Sequence, residues 1–203
     1  MSRYAPRRPG DVARAIDDEV LAILTTHDDA GYIATPLPLL ATVDEAGSVT
    51  ELIGHFALSN PHVERVRRTP AAQVTFLGPH GYVAPAMVSR CGWAPSWNYR
   101  FVQMEVDIEL RPEENDAAIR ALVARMEGVG ADRWSIDVVG ARYAAMIRHV
   151  VAFRARVRRV HARFKLGQDE DPQSFAEIVA ALGDAPLAAA MTDQARDDGG
   201  EGA

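Results

Sequence analysis

Between Phe76 and Tyr99 the chain gathers His80, Tyr82, Trp93, Trp97, Asn98 and Tyr99 among Gly78, Pro79, Gly81, Pro85 and Pro95. Gly and Pro set sharp turns at little conformational cost. Trp, Tyr and His add broad π faces with polar tips, the lining a planar ligand needs. Barrel cores use the same residue types, so an aromatic corner that merely closes a core is the competing reading. Cys91 lies in this stretch and is the sole cysteine. It excludes an internal disulfide and any Cys-based zinc site, and reads as a packing residue rather than a nucleophile.

Two further segments could meet an anion. GHFALSNPHV at 54–63 joins a strand end to a helix start, with His55, Ser59 and Asn60 at the junction. Backbone N–H groups at such a start bind phosphate, although Asn60 could equally be a simple N-cap. Lys165 is the only lysine among 22 basic residues. A compact ammonium suits a narrow gap or the underside of a ring better than a planar guanidinium does. It ends a stripe of Arg154, Arg156, Arg158, Arg159, His161 and Arg163, mostly spaced by two as on one strand face. That stripe is either a solvated sheet surface or an anion-binding one.

Other chemistries lack their signatures. No phosphate-binding Walker loop, dinucleotide glycine motif, HExxH or GxSxG is present. The six histidines show no helical metal-ligand spacing. His80, between turn residues, is a better functional candidate than His55 or His62 at the ends of their elements.

The elements that must hold these residues follow from the hydrophobic pattern. Asp11 is placed to cap a helix over Val12, Ala15, Ile16 and Val20. From Ala22 three extended segments are split by DDAG and DEAG, an antiparallel meander. Pro36 and Pro38 suit an edge or a bulge. A short helix follows Asn60, with Pro61 at its first position. Strands are predicted at 71–77, 81–85, 97–110 and 149–166. Helices are predicted at 113–128, 137–148 and, capped by Asp171, 172–182. Strands in the middle with helices at the ends make a mainly β fold with α additions, a barrel type. Residues 1–186 are expected to form one domain. The polar, Gly-rich end, 187–203, is expected to be disordered.

The chain has 203 residues and 48% hydrophobic residues, enough for one sizeable core. No apolar run approaches a membrane span, and no secretory leader is visible. A cytoplasmic protein is expected. The net charge of −6 argues against charge-driven nucleic-acid binding.

Six pieces in order resemble the PaiB family of FMN-binding negative transcriptional regulators. They are YAPR at 4–7, LPLL at 37–40, GHFALSNPH at 54–62, FLGPHGYVAP at 76–85, PSWNY at 95–99 and RFKLGQ at 163–168. The resemblance implies an antiparallel FMN-binding split β-barrel, a homodimer, and flavin mononucleotide near the subunit interface. It points to His55, Ser59, Asn60, Gly78, His80, Trp97, Asn98, Tyr99, Lys165 and Gln168 as cofactor-binding candidates. This chain departs from the family pattern at Pro36, where a His is usual, at Ala86-Met87, where Ser-Trp is usual, and at Gly167-Gln168-Asp169, where Ser-Gln-Asn is usual. The first two changes remove a polar contact and an aromatic wall.

The resulting expectation is a flavin-dependent redox or sensing protein, with any transcriptional role indirect because no helix-turn-helix pattern is present. A flavin would carry the chemistry itself, and no catalytic acid or base stands out. A barrel that has lost flavin and serves as an interaction module, or one that holds another ligand such as haem, is the alternative.

Overall fold

The two acidic turns reverse the chain as their sequences predict. The Asp28 carboxylate accepts from Ala30 N at 2.8 Å, and Gly31 follows at φ +92°. The Asp44 carboxylate accepts from Ala46 N at 3.0 Å and Ser48 N at 2.8 Å, with Gly47 at φ +79°. These turns link β1 (Leu21–Asp28) to β2 (Gly31–Pro38), and β3 (Leu40–Val43) to β4 (Val49–Ala57). The middle segment of the expected meander is thus two strands. They part at Leu39, whose N–H turns away to the Val20 carbonyl at 2.8 Å.

The computed structural model describes residues 2–128, 130 and 132–196. Three long strands, β5 (Ala71–Val83), β6 (Ser96–Leu110) and β7 (Val150–Lys165), complete one antiparallel sheet in the order β2-β1-β5-β6-β7-β4-β3. The two expected strands at 71–77 and 81–85 are one element, broken by a bulge between Leu77 and His80. The sheet curls around a core without closing, so the architecture is an antiparallel split barrel with helical additions. Pro36 and Pro38 lie on β2, an edge strand, where a missing N–H costs no ladder bond.

The barrel interior follows the two-residue period. Val74 and Phe76 of β5, Val102, Met104 and Val106 of β6, and Phe153 and Ala155 of β7 are all buried. Phe56 packs on Phe153 with ring centroids 4.7 Å apart. Gly54 beside them has no room for a side chain, since a Cβ would lie 2.4 Å from Leu39 Cδ2.

The helices seal the barrel ends. α1 (Asp11–Glu19) is capped at Gly10; the Asp11 carboxylate instead reaches back to Arg7 N and Arg8 N, each at 2.8 Å. α2 (His62–Arg68) follows β4. α3 (Asn115–Glu127) opens on Asn115, whose amide clamps the start of β7 through Val150 O at 3.0 Å and Ala152 N at 2.7 Å. The helix expected over 137–148 is broken at Gly140, at φ +61°, into a 3-10 turn, α4 (Arg142–Met146) and another 3-10 turn. α5 (Pro172–Leu182) is capped by Asp171, which accepts from Gln173 N and Ser174 N.

One expectation needs correction. Residues 186–196 form α6 (Pro186–Arg196), with Leu187, Ala188, Met191 and Gln194 buried against the barrel. Four buried positions at helical spacing outweigh the polar composition that suggested disorder from 187. Positions 197–203 of that expected tail lie outside the described residues.

Candidate functional site

The pairing of β5, β6 and β7 assembles an aromatic platform on the outer face of the barrel. His80 faces Tyr99, Tyr82 faces Trp97, and Tyr99 faces Lys165. Directly paired residues point to the same side of a sheet, so these five share one face. Trp97 is 54% exposed. The His80 ring stands 6.4 Å from it and 26° from parallel, and the Tyr82 ring is tilted at 5.9 Å. The Leu77–His80 bulge re-aims this end of β5, and His80 Nδ1 approaches the Gly78 carbonyl at 3.2 Å. Gly78 itself is buried, and a Cβ there would press on Arg100 Nε at 3.0 Å.

Lys165 forms the cationic rim of the platform. Its Nζ donates to Ser96 Oγ and to the Trp97 carbonyl at 3.1 Å. An ammonium has three donors, so one remains for a ligand oxygen. Beside it the Arg163 Nε donates to Tyr99 Oη at 3.0 Å, and its guanidinium covers the Tyr4 ring at 4.6 Å. Tyr4 also accepts the Phe164 N–H on its carbonyl, so the N-terminal YAPR segment lies along the end of β7.

Gly78, His80, Trp97, Tyr99 and Lys165 therefore come together at one end of the sheet. The other candidates do not join them within one chain. Asn98 alternates to the opposite face, is buried, and donates to Met191 Sδ of α6 at 3.5 Å. Gln168 closes its own turn, donating to Phe164 O and accepting from Leu166 N at 2.8 Å. His55 faces Ala152 near the far end of β7, and the strand runs roughly 40 Å from there to Lys165. Burial pushes the His55 imidazole below its ordinary pKa.

Ser59 is exposed at that same far end, while Asn60 precedes Pro61, the N-cap of α2, and braces the start of the helix. Its Oδ1 accepts from His62 N at 2.9 Å and its carbonyl from Val63 N at 3.0 Å. Those bonds occupy the first N–H groups of α2 that the sequence offered to an anion. His62 is fully buried, with its two ring nitrogens 3.0 Å from Thr26 Oγ1 and 2.9 Å from Thr35 Oγ1. It is a satisfied core residue.

Two features escaped the sequence. Alternation along β5 and β6 could have assigned Tyr82 to the Trp97 face. Nothing local could have placed Glu19, the last residue of α1, in a pocket of about 330 Å³ with Gly78, His80 and Leu187. Burial holds the Glu19 carboxyl above the usual carboxylate range, with the Arg100 guanidinium opposing that shift.

Four arginines of the stripe are paired from the neighbouring strands and the turn after β6. Arg154 pairs with Glu51 and Glu114, Arg156 and Arg158 with Asp107, and Arg159 with Glu105. Exposed pairs of this kind contribute little stability, but they leave small net charge on that surface. Among the described residues no helix is long and apolar enough to cross a membrane, and no cluster of potential ligands could hold a metal ion.

A split barrel carrying an exposed aromatic platform with a cationic rim is a class of protein that comparison defines further. The chain belongs to the family described as "putative FMN-binding domain", whose model matches residues 2–159. It is similar to the protease synthase and sporulation protein PAI 2 of Bacillus subtilis, at 25% identity over 174 residues, 82% of this chain and 80% of that protein. Among solved structures, an FAD and haem binding protein from Mycobacterium smegmatis superimposes with a TM-score of 0.63 at 19% identity. That match covers 91% of this chain and 82% of the other. A flavocytochrome from Azotobacter vinelandii gives 0.54 at 14% identity, covering 84% and 82%. These structural likenesses establish the fold.

Proposed function

We propose that this chain binds FMN on the Trp97 platform and serves a redox or sensing role as a homodimer. The observation that carries the reading is the exposed Trp97, flanked by His80 and Tyr82 and tied through its carbonyl to Lys165, in a member of an FMN-binding family. Trp97, His80 and Tyr82 would face the isoalloxazine, and the remaining Lys165 donor would meet the phosphate. The bound flavin would supply reversible hydride or electron transfer. The aromatic wall stands although Ala86-Met87 replaces the family's usual Ser-Trp; Met87 packs against the core instead.

The dimer is supported by surface chemistry. Leu77, Tyr82 and Trp97 are exposed on β5 and β6, and Leu21 and Ile23 are exposed on β1, the next strand of the sheet. Exposed apolar side chains gathered on neighbouring strands suit an association surface. A second copy seated there would shield the flavin from water. It could also bring its own His55, Ser59 and Asn60 to the platform, which the partner's fold cannot do alone. Any regulatory role would be indirect, since four of the five arginines of the stripe are already paired with carboxylates.

The deciding experiment is an absorbance spectrum of the purified protein, as isolated and after FMN addition and gel filtration. A retained two-banded flavin spectrum supports the reading, and NAD(P)H oxidation would then test for a reductase. A colourless protein that releases FMN overturns it. Haem is the second reading, favoured by the similarity in fold to the FAD and haem binding protein of Mycobacterium smegmatis and by the exposed His80 and His161. A Soret band would replace the flavin bands.

A further inference from the structure

Behind the platform, on the opposite face of β6 and β7, lies a pocket of about 380 Å³ walled by α1, α6 and the strand ends. That volume is at the small end of ligand sites. Arg14, Arg100 and Arg196 border it, and Phe164 and Leu166 give it an apolar floor. Its carboxylates are already engaged. Asp11 takes Arg7 N, Arg8 N and Arg14; Asp18 takes Arg100 Nη2 at 2.8 Å; and Asp193 lies 3.6 Å from Arg196.

The donors are not used up. A guanidinium carries five N–H bonds, and Arg14 and Arg196 each spend theirs on one carboxylate. Gln194 also borders the pocket and is 93% buried, yet its Nε2 has no hydrogen-bond partner among the described residues. A buried amide donor without an acceptor is costly and rare, and the Gln194 amide is one at the wall of this cavity.

We propose that this pocket binds a small organic oxyanion. Its carboxylate or phosphate oxygens would accept from Gln194 Nε2 and from the Arg14 and Arg196 forks, and its short hydrocarbon part would lie on Phe164 and Leu166. Planar guanidiniums suit either oxyanion through paired N–H bonds. Because Gln194 and Arg196 belong to α6, Arg14 to α1 and Phe164 to β7, the ligand fastens α6 to the barrel. The Asn98–Met191 contact connects that helix to the strand bearing Trp97 and Tyr99.

The test is thermal unfolding and backbone hydrogen exchange of the full chain with succinate, with inorganic phosphate, and with chloride at matched ionic strength. The expected result is a higher melting temperature and slower exchange in α6 with at least one oxyanion, beyond the chloride control. Succinate alone acting identifies a carboxylate ligand, phosphate alone a phosphate ligand. Gln194→Met keeps the volume and removes the donor, and should weaken binding about tenfold, the scale of one hydrogen bond to a charged group. Arg14→Ala, an exposed substitution, should weaken it similarly and serves if the first variant misfolds. No effect of either oxyanion beyond chloride, or undiminished effects in the variants, overturns the proposal.

Discussion

The Lys165 ammonium donates to the Trp97 backbone carbonyl at 3.1 Å, so the sole lysine and the most exposed tryptophan of the platform are held as one unit. Replacing Lys165 with Met keeps the aliphatic stem and removes both the charge and the tether. FMN affinity is expected to fall about tenfold, the worth of one charge-assisted hydrogen bond. Titration of flavin fluorescence measures it. Unchanged affinity would place the phosphate elsewhere.

Trp97 projects largely into solvent and contributes little to the core. Trp97→Ala is expected to change unfolding free energy by less than about 1 kcal/mol. It should nevertheless weaken flavin binding by about 0.5–1.5 kcal/mol, the range for a lost aromatic pair. It should also relieve quenching of flavin emission by the indole. Chemical denaturation and fluorescence titration read the two effects separately.

Leu77 is exposed beside the platform on β5. A charge there should cost the isolated chain under about 0.5 kcal/mol but oppose burial against a second copy. Light scattering after gel filtration is expected to give twice the 22.1 kDa chain mass for the wild type and a single chain for Leu77→Arg. A wild-type monomer would remove the dimer from the reading.

Burial first, and the nearby Arg65 charge second, lower the His62 pKa. A depressed folded-state value means the unfolded chain takes up the proton first. The neutral ring's contribution is therefore complete above the ordinary value near 6.5 and is lost as pH falls from there through the folded value. His55, lowered by burial alone, acts in the same direction. Wild-type stability should decline below about pH 6.5, and His62→Ala should flatten that decline. The same substitution removes one buried and one part-buried hydrogen bond and opens a cavity, at a cost of about 2–4 kcal/mol. Urea unfolding across pH measures both.

Gly54 faces Leu39 and the Phe153 ring, with a Cβ at 2.4 Å from Leu39 Cδ2 and 2.9 Å from Phe153 Cζ. Gly54→Ala is expected to destabilise by about 1–3 kcal/mol through overpacking. A melting temperature equal to the wild type's would show that the β3–β4 corner repacks freely.

Much of the fold was legible because its signals are local. Asp44 and Gly47 form a turn from their own backbone and side chains, and Asp171 caps α5 within three residues. The alternation in β6 was legible too, and it separates Asn98 from Trp97 and Tyr99. Grouping the three as one site set aside that two-residue period. The prolines of β2 left an edge, a bulge or an irregular strand end open, and the edge is what the sheet order gives.

What no local signal carried was register between distant strands. The pairing of Tyr99 with both His80 and Lys165 builds the platform, and the pairing of His55 with Ala152 sends that histidine to the far end of β7. Two of the four carboxylates that pair with the arginine stripe, Glu105 and Asp107, come from β6, some fifty positions earlier in the chain. Helix α6 looked polar until its four buried residues met the barrel. By itself the sequence determined the two acidic turns, the Asp171 cap, strand alternation and family, since each depends on neighbouring residues or on a motif read in order. Only the tertiary structure decided which side chains share a face, which charges are spent and which polar groups are buried, because those depend on contacts between residues far apart in the chain.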